Sequence, residues 1–327
     1  MAVGVEWADR SEQADARPLD DRDAPRNAGP DTDQATDRRR PVVLTDPERR
    51  AAEYHRHRAI VEHAVEHSSD AARGWSAAVP EFLAAWEKIR AKYGYPERGG
   101  PVAQPADGSW QGSGGRRLDH AQNAEIDRAC ARIREVGERA IIPGVRAVEA
   151  EDPTRRLAGF EHRFKGADRL KEKVADEIRS TPGITPAQSL SAVPDAVRFT
   201  YKYGETTYTA GVRKDIERLE ARGFVQVERR NTWTSDQYKG INSRWREPES
   251  GVTFEVQFHT RASLEAKELT HKAYERIRSI TEQTPETDRE TAELKEFQRR
   301  VNGKVPIPTG VTEYEDYRPE KRNGRRD

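Results

Sequence analysis

The sequence predicts an α+β fold: a mixed β-sheet of three or more strands with helices packed on it, an N-terminal helical module and loose ends. Three observations carry that expectation. Short runs rich in β-branched and aromatic residues recur at 196–203, 224–229 and 252–260. Helical spacing of apolar residues separates and follows them. Hydrophobic residues make up 34% of the 327 positions and charged residues 35%, too few apolar groups for the whole chain to share one core.

Element by element, residues 1–45 hold one aromatic, Trp7, among Asp, Arg, Pro and Gly, and read as a disordered tail. A helical module follows at 46–100. Thr45 with Glu48 three residues on forms a capping box that starts a helix running to about 67. His55, His57, His63 and His67 interrupt its thin apolar stripe, so it reads as a solvated helix rather than a zinc site. A second helix at 78–92 places Val79, Phe82, Leu83, Trp86 and Ile89 on one face, and Gly94 stops it. Residues 101–118, rich in Pro, Gly, Ser and Gln, read as a linker.

The main domain is expected at 119–302. Its first helix spans 119–138, with Ile126, Cys130, Ile133 and Val136 along one stripe. Cys130 is the single cysteine, a small core hydrophobe on this reading, and it rules out an internal disulfide. A short strand at 157–164, a basic helix at 167–179, the strand at 196–203 and a helix at 208–222 stopped by Gly223 come next. The strands at 224–229 and 252–260, and helices at 262–280 and 286–302, complete it. Residues 303–327 read as a flexible tail.

Charge narrows the functional classes. Lys plus Arg and Asp plus Glu each number 57, so net charge is zero and bulk attraction to polyanions is excluded, though a local basic site is not. No apolar run reaches membrane-spanning length, and Met1 to Trp7 lacks the layout of a secretory signal. The expected location is the cytoplasm, with export by a route that reads no such signal left open.

Five stretches carry chemistry. Between 155 and 173 there are seven Lys or Arg and three Asp or Glu. Arg163 and Lys165 share a strand face, Gly166 gives a turn, and Arg169 and Lys173 follow at i, i+4 on the next helix. A basic strand–turn–helix with a favourable dipole suits a polyphosphate, although a solvated basic helix has the same appearance. Asp195 heads an otherwise apolar strand, with Arg198 three residues on; a structural ion pair is the plainer alternative. In Phe254 to Thr260, alternation puts Glu255, Gln257 and His259 on one face and Phe254, Val256 and Phe258 on the other. Acid, amide and imidazole in a row suit a hard cation with a nucleotide. Tyr238-Lys239-Gly240-Ile241-Asn242-Ser243-Arg244-Trp245 forms a glycine-centred loop. Ser263, Lys267, His271 and Tyr274 share one helix face.

Taken in order, these stretches resemble the synthetase domain of RelA/SpoT-type nucleotide pyrophosphokinases, over about 155–280. The resemblance implies a nucleotidyltransferase-like fold that moves pyrophosphate from ATP to the 3′-hydroxyl of a nucleotide ribose, usually GDP or GTP. It implies Asp195, Glu255 and Gln257 as catalytic residues, with Asp195 and Glu255 as Mg²⁺ ligands. It implies Arg163, Lys165, Arg169, Lys173 and Arg198 at the ATP phosphates. Tyr238, Lys239, Asn242, Trp245, His259, His271 and Tyr274 would face the acceptor.

The chain departs from the family pattern in two places. Asp195-x-x-Arg198 replaces Asp-x-x-Gly-x-Arg. The loop that usually reads Asn-Gly-Tyr-x-Ser-x-His has Ile241 at the tyrosine and Trp245 at the histidine, so Tyr238 or Trp245 would supply a stacking face. These departures resemble divergent, toxin-like members that modify adenine nucleotides or the 3′ end of tRNA. No His-Asp hydrolase module is evident upstream. The implied partners are ATP and an acceptor nucleotide of (p)ppGpp- or (p)ppApp-type chemistry, or a tRNA 3′ end reached through Arg229, Arg230, Arg244 and Arg246, with a homo-oligomer also open. A non-catalytic nucleotide-binding module is the remaining alternative. Glu255 and His259 are both candidates for accepting the hydroxyl proton.

Overall fold

The computed structural model describes residues 70–95 and 105–319. The tail expected at 1–45 and the helix expected at 45–67 lie outside them. Among the described residues no helix is long and apolar enough to cross a membrane.

Five strands make one mixed sheet in the order β3-β4-β7-β6-β5: β3 (Arg155–Leu157), β4 (Arg198–Tyr203), β5 (Val225–Asn231), β6 (Ile241–Arg246) and β7 (Thr253–Thr260). The β4–β7 pair is parallel and every other pair antiparallel. Phe199, Tyr201 and Tyr203 of β4, Phe254, Val256 and Phe258 of β7, and Ile241 and Trp245 of β6 are all buried on one face. Their aromatic rings meet edge-on and tilted, Phe199 on Phe254 and Phe224 on Phe254 among them.

Helix α3 (Ile142–Ala150) and helix α6 (Tyr208–Ala221) tie to these core-face strands: Tyr201 Oη donates to the Val145 carbonyl at 2.7 Å and Tyr208 Oη to the Phe258 carbonyl at 2.7 Å. A buried ion pair between Arg155 and Asp215, joined by Tyr203 Oη, locks β3 to α6.

A second apolar cluster forms beside the sheet. It brings together Trp110, Leu118, Ile126, Leu170, Val174 and Leu190. They come from a hairpin of β1 (Trp110–Gln111) and β2 (Arg117–Leu118), and from helices α2 (His120–Val136), α4 (Ala167–Ser180) and α5 (Pro186–Ala192). Residues 105–118, expected as a linker, are thus part of the fold. Trp110 is fully buried and its Nε1 donates to Asp168 at 3.0 Å. The Gly, Ser and Gln that suggested a linker belong to a hairpin too short to show a period.

Helix α1 (Asp70–Tyr93) packs against α7 (Arg261–Ser279) and α8 (Pro285–Asn302): Trp75 Nε1 donates to Glu265 at 2.7 Å, and Trp86 lies on Phe297. The tail expected from 303 is a correction of the same kind up to 319. Val305 and Val311 are buried, and Tyr317 pairs with Arg229 at the outer edge of β5. The strand expected at 157–164 is interrupted by a turn at Phe160–His162, and Phe164 rejoins β4 as a single bridge to Val197.

Candidate functional site

The face of the sheet opposite the aromatic core is a grid of polar side chains set by strand register. One row crosses β4, β7, β6 and β5 as Arg198, Glu255, Arg244 and Glu228, alternating in charge. The next row is Thr200, Gln257, Asn242 and Arg230. Lys202 and His259 begin a third. Direct cross-strand neighbours share a face, so period-2 alternation on β7 carries straight through to β4 and β6.

At the head of β4, Asp195 is gripped by two cations. Lys165 Nζ donates to Oδ2, and Lys173 Nζ to Oδ1 at 2.7 Å. Burial alone would raise the Asp195 carboxyl, but the two ammoniums hold it down at about 2. Burial pushes the Lys165 ammonium below its ordinary range, against the pull of Asp195. The backbone fixes this corner: Lys165 N donates to the Ala196 carbonyl at 3.0 Å and Arg198 N to the Arg163 carbonyl at 2.8 Å. Gly166 begins α4 with φ −57, a value any residue adopts, so the turn there does not require glycine.

Arg163 stands over the rings of Phe160 and Phe164, and its Nη2 donates to Glu138 at 2.9 Å. Its Nε is buried without a partner. Arg169 spans from Glu172 on its own helix to Glu275 of α7, 3.7 Å away. Arg198 forms no ion pair among the described residues, yet its charge acts on Lys165, Lys267, His259 and His271.

Two residues beyond Asp195, the Val197 carbonyl accepts from Glu255 N at 2.9 Å, which sets Asp195 and Glu255 at the same end of adjoining parallel strands. Gln257 Nε2 donates to Glu255 Oε1, and Gln257 Oε1 accepts from Lys267 Nζ at 2.7 Å. Burial, with Arg198 nearby, pushes the Lys267 ammonium down to about 8.

His259 is fully buried, with both ring nitrogens engaged: Nδ1 with Ser263 Oγ at 2.9 Å and Nε2 with Tyr238 Oη at 2.8 Å. Tyr238 Oη donates to Asn242 Oδ1 at 2.9 Å. With its own proton on Asn242, the phenol accepts from His259 Nε2–H, and Ser263 Oγ, which also reaches the Thr260 carbonyl at 3.2 Å, is the neighbour of Nδ1. Burial pushes His259 well below its usual range, so the ring is neutral, and burial together with Glu255 pushes the Tyr238 phenol up. Gly240 makes room for this: a Cβ there would lie 2.8 Å from His259 Cε1.

His259 is therefore a buried support for Tyr238 rather than an exposed group of the polar face. Five other side chains expected at the acceptor or its loop are placed away from Tyr238. Trp245 is fully buried on the aromatic-core face, its Nε1 donating to Ser243 at 2.7 Å. Ile241 is on the same face, so it does not replace a stacking ring in the cleft. Lys239 is buried, with Nζ donating to the Trp233 carbonyl at 2.8 Å. His271 and Tyr274 lie on the exposed side of α7, His271 3.6 Å from Glu275 and Tyr274 under Arg278. Lys267, by contrast, reaches the site from that helix, and its position one turn before His271 was the available signal.

Of the basic patch, Arg244 pairs with Glu228 at 2.9 Å, and Arg229 is held by Glu315, Tyr314 and Tyr317. Arg230 and Arg246 remain exposed.

Among the described residues no three His, Cys, Asp or Glu side chains form a metal cage. Asp195 and Glu255 are two hard oxygen donors of the kind magnesium takes, at the same end of adjoining strands.

No protein-family profile matches the chain, and no curated protein does. Solved structures do resemble it. Small alarmone synthetase 1 from Bacillus subtilis has 16% identity and a TM-score of 0.38, over 55% of this chain and 92% of that one. The same synthetase bound to its product pppGpp has 18% identity and a TM-score of 0.35, over 55% and 94%. The protein smu.1046c from Streptococcus mutans UA159 has 18% identity and a TM-score of 0.36, over 53% and 88%.

Proposed function

We propose that the chain is an ATP-dependent pyrophosphokinase that places pyrophosphate on the ribose 3′-hydroxyl of an acceptor nucleotide. One observation carries the reading. Strand register brings Arg198, Glu255 and Gln257 from distant segments into one polar grid, and Asp195 with its two lysines adjoins the same end.

In that reaction the 3′-oxygen bonds to the β-phosphorus of ATP. The α–β bridging bond breaks, AMP leaves with the bridging oxygen, and the hydroxyl proton goes to a base. The chemistry demands positioning and charge compensation more than covalent participation. Lys165 and Lys173, now on Asp195, have phosphate oxygens as alternative partners of the same charge and hardness. Arg163 and the unpaired Arg198 flank them. Magnesium held by Asp195 and Glu255 would neutralise charge building on the transferred phosphates. Glu255 suits the base role better than His259, whose nitrogens are both engaged. Glu255 Oε2 has no hydrogen bond among the described residues, whereas Oε1 is held by Gln257. Tyr238, propped by His259 and Asn242, is the one aromatic ring left in the loop to meet an acceptor base.

The test is incubation of the purified chain with ATP labelled at the γ-phosphate, Mg²⁺, and GDP, GTP, ADP or tRNA in turn. A new labelled nucleotide supports the reading. Label on tRNA alone would favour the RNA-directed alternative. No transfer to any acceptor would leave a nucleotide-binding module. With Ile241 turned into the core, base preference rests on Tyr238, a face that accepts any base by stacking worth about 1–3 kcal/mol. Adenine and guanine nucleotides should therefore compete. A preference for GDP over ADP of about a hundredfold, near 2.7 kcal/mol, would exceed what stacking alone discriminates and overturn that expectation.

A further inference from the structure

Lys267 of α7 reaches across to the polar face of the sheet. Its Nζ donates to Gln257 Oε1 at 2.7 Å, and the other end of the same amide donates to Glu255 Oε1. We infer that Lys267 is a positioning residue: it clamps the Gln257 amide and, through it, sets which oxygen of Glu255 faces the cleft. The inference rests on the assignment of Glu255 to the reaction.

The chemistry allows one arrangement. An ammonium only donates and a carboxylate only accepts. An amide between them must turn its oxygen to Lys267 and its nitrogen to Glu255. Gln257 is buried and Lys267 and Glu255 only partly exposed, so both links are shielded in part from bulk water, and a charged partner strengthens each. With Oε1 of Glu255 so occupied, Oε2 is the oxygen left for the cleft.

Without Lys267 the buried Oε1 of Gln257 has no donor. The amide then has reason to swing toward Thr200 or Asn242, its neighbours in the register, and Nε2 leaves Glu255. Lys267 is also fixed from behind. It stands one turn after Ser263, which caps α7 through Thr260 and holds His259, so the helix cannot slide without disturbing the same face.

The experiment uses the full chain and two readouts. The first needs no substrate: the Gln257 side-chain amide pair in a ¹H–¹⁵N spectrum, identified by its absence in Gln257→Leu. Lys267→Met should shift this pair and speed its exchange with water, while Lys267→Arg, which keeps a donor, should preserve it. The second is kinetic. Lys267→Met should lower kcat by about 10- to 100-fold, as loss of an outer-shell partner does, with KM for ATP and acceptor little changed and part of the rate restored in Lys267→Arg.

An amide pair unchanged in Lys267→Met would overturn the inference. So would a raised KM with kcat intact, which would make Lys267 a ligand contact. A wild-type chain that transfers no pyrophosphate would refute the proposed reaction, while the amide signals would still decide whether Lys267 sets the geometry.

Discussion

Most side chains of the candidate site, Arg198 excepted, are held by a named neighbour, and that makes their substitution readable. Glu255→Gln keeps the shape of the side chain and removes the charge. Transfer should fall by at least about 100-fold, the scale of a lost general base. Melting should change little, because Glu255 is part of a half-exposed row and adds little to the core. A labelled-ATP assay beside a thermal melt checks both, and turnover near wild type would remove Glu255 from the chemistry.

Titration gives a second set of signs. His259 is kept neutral in the fold, so as pH falls below about 6.5 the unfolded chain takes a proton that the folded chain refuses. Stability should decline by up to about 1.4 kcal/mol per pH unit from this group, and His259→Gln should remove that slope in urea melts. Asp195 acts lower: its carboxyl is held at about 2, so its contribution is complete above about 3.9 and is lost as pH falls toward 2. Lys267 has the opposite consequence. Its charge is disfavoured in the fold, so this group makes stability rise from pH 8 to 10.5, where the folded lysine has lost its proton and the unfolded one still keeps it, and Lys267→Met should remove that rise in urea melts.

At the scale of elements, legibility followed period. β7 reads plainly because Phe254, Val256 and Phe258 alternate with Glu255, Gln257 and His259 over a buried strand. β6 was hidden as a loop, since its polar positions are Asn242, Arg244 and Arg246 and a glycine precedes it. Motif spacing then suggested Ile241 and Trp245 for the cleft, while strand alternation sends both to the core. The same alternation applied to 241–246 would have placed them. Helix α7 was visible from its spacing, which put Lys267 on one face with Ser263 and His271, but its link to Gln257 was not visible, because that amide is brought close by the sheet. The cation set around Asp195 was legible as charge and turn; its clamp was not, because pairing across segments leaves no local pattern.

Gly240→Ala tests one such cross-segment constraint. The added carbon meets the His259 ring at 2.8 Å and the Phe258 carbonyl at 3.3 Å, so β6 or His259 must move. Activity should drop together with the Tyr238 contact. An alanine variant that folds with Tyr238 fluorescence and turnover unchanged would show that the ring yields freely.

Across the molecule, the sheet is closed from both ends of the described chain. Helix α1 reaches α7 through Trp75 and Glu265, so the element that bears Lys267 has a partner more than 150 residues upstream. At the far side, residues 303–319 cover β5. Asn231 Nδ2 donates to the Val311 and Tyr314 carbonyls at 2.7 and 2.8 Å, and Arg229 exchanges backbone hydrogen bonds with Tyr317 at 2.8 and 2.9 Å. Ending the chain after residue 304 should speed amide exchange in β5 and lower the melting temperature, and no change in either would show that this segment only rests on the sheet.

The pairing of Tyr317 with Arg229 also bears on how the chain is made. A sheet edge with open N–H and C=O groups is a template for any other strand. The edge of β5 finds its cover 88 residues downstream, from 229 to 317. At ribosomal speeds of about 5–20 residues per second, that leaves a window of roughly 4 to 18 seconds in which the strand has been synthesised and its guard has not. Val225, Arg229 and Arg230 along that edge put two charges beside one exposed apolar side chain, and charges of this kind hinder pairing between nascent copies during the wait.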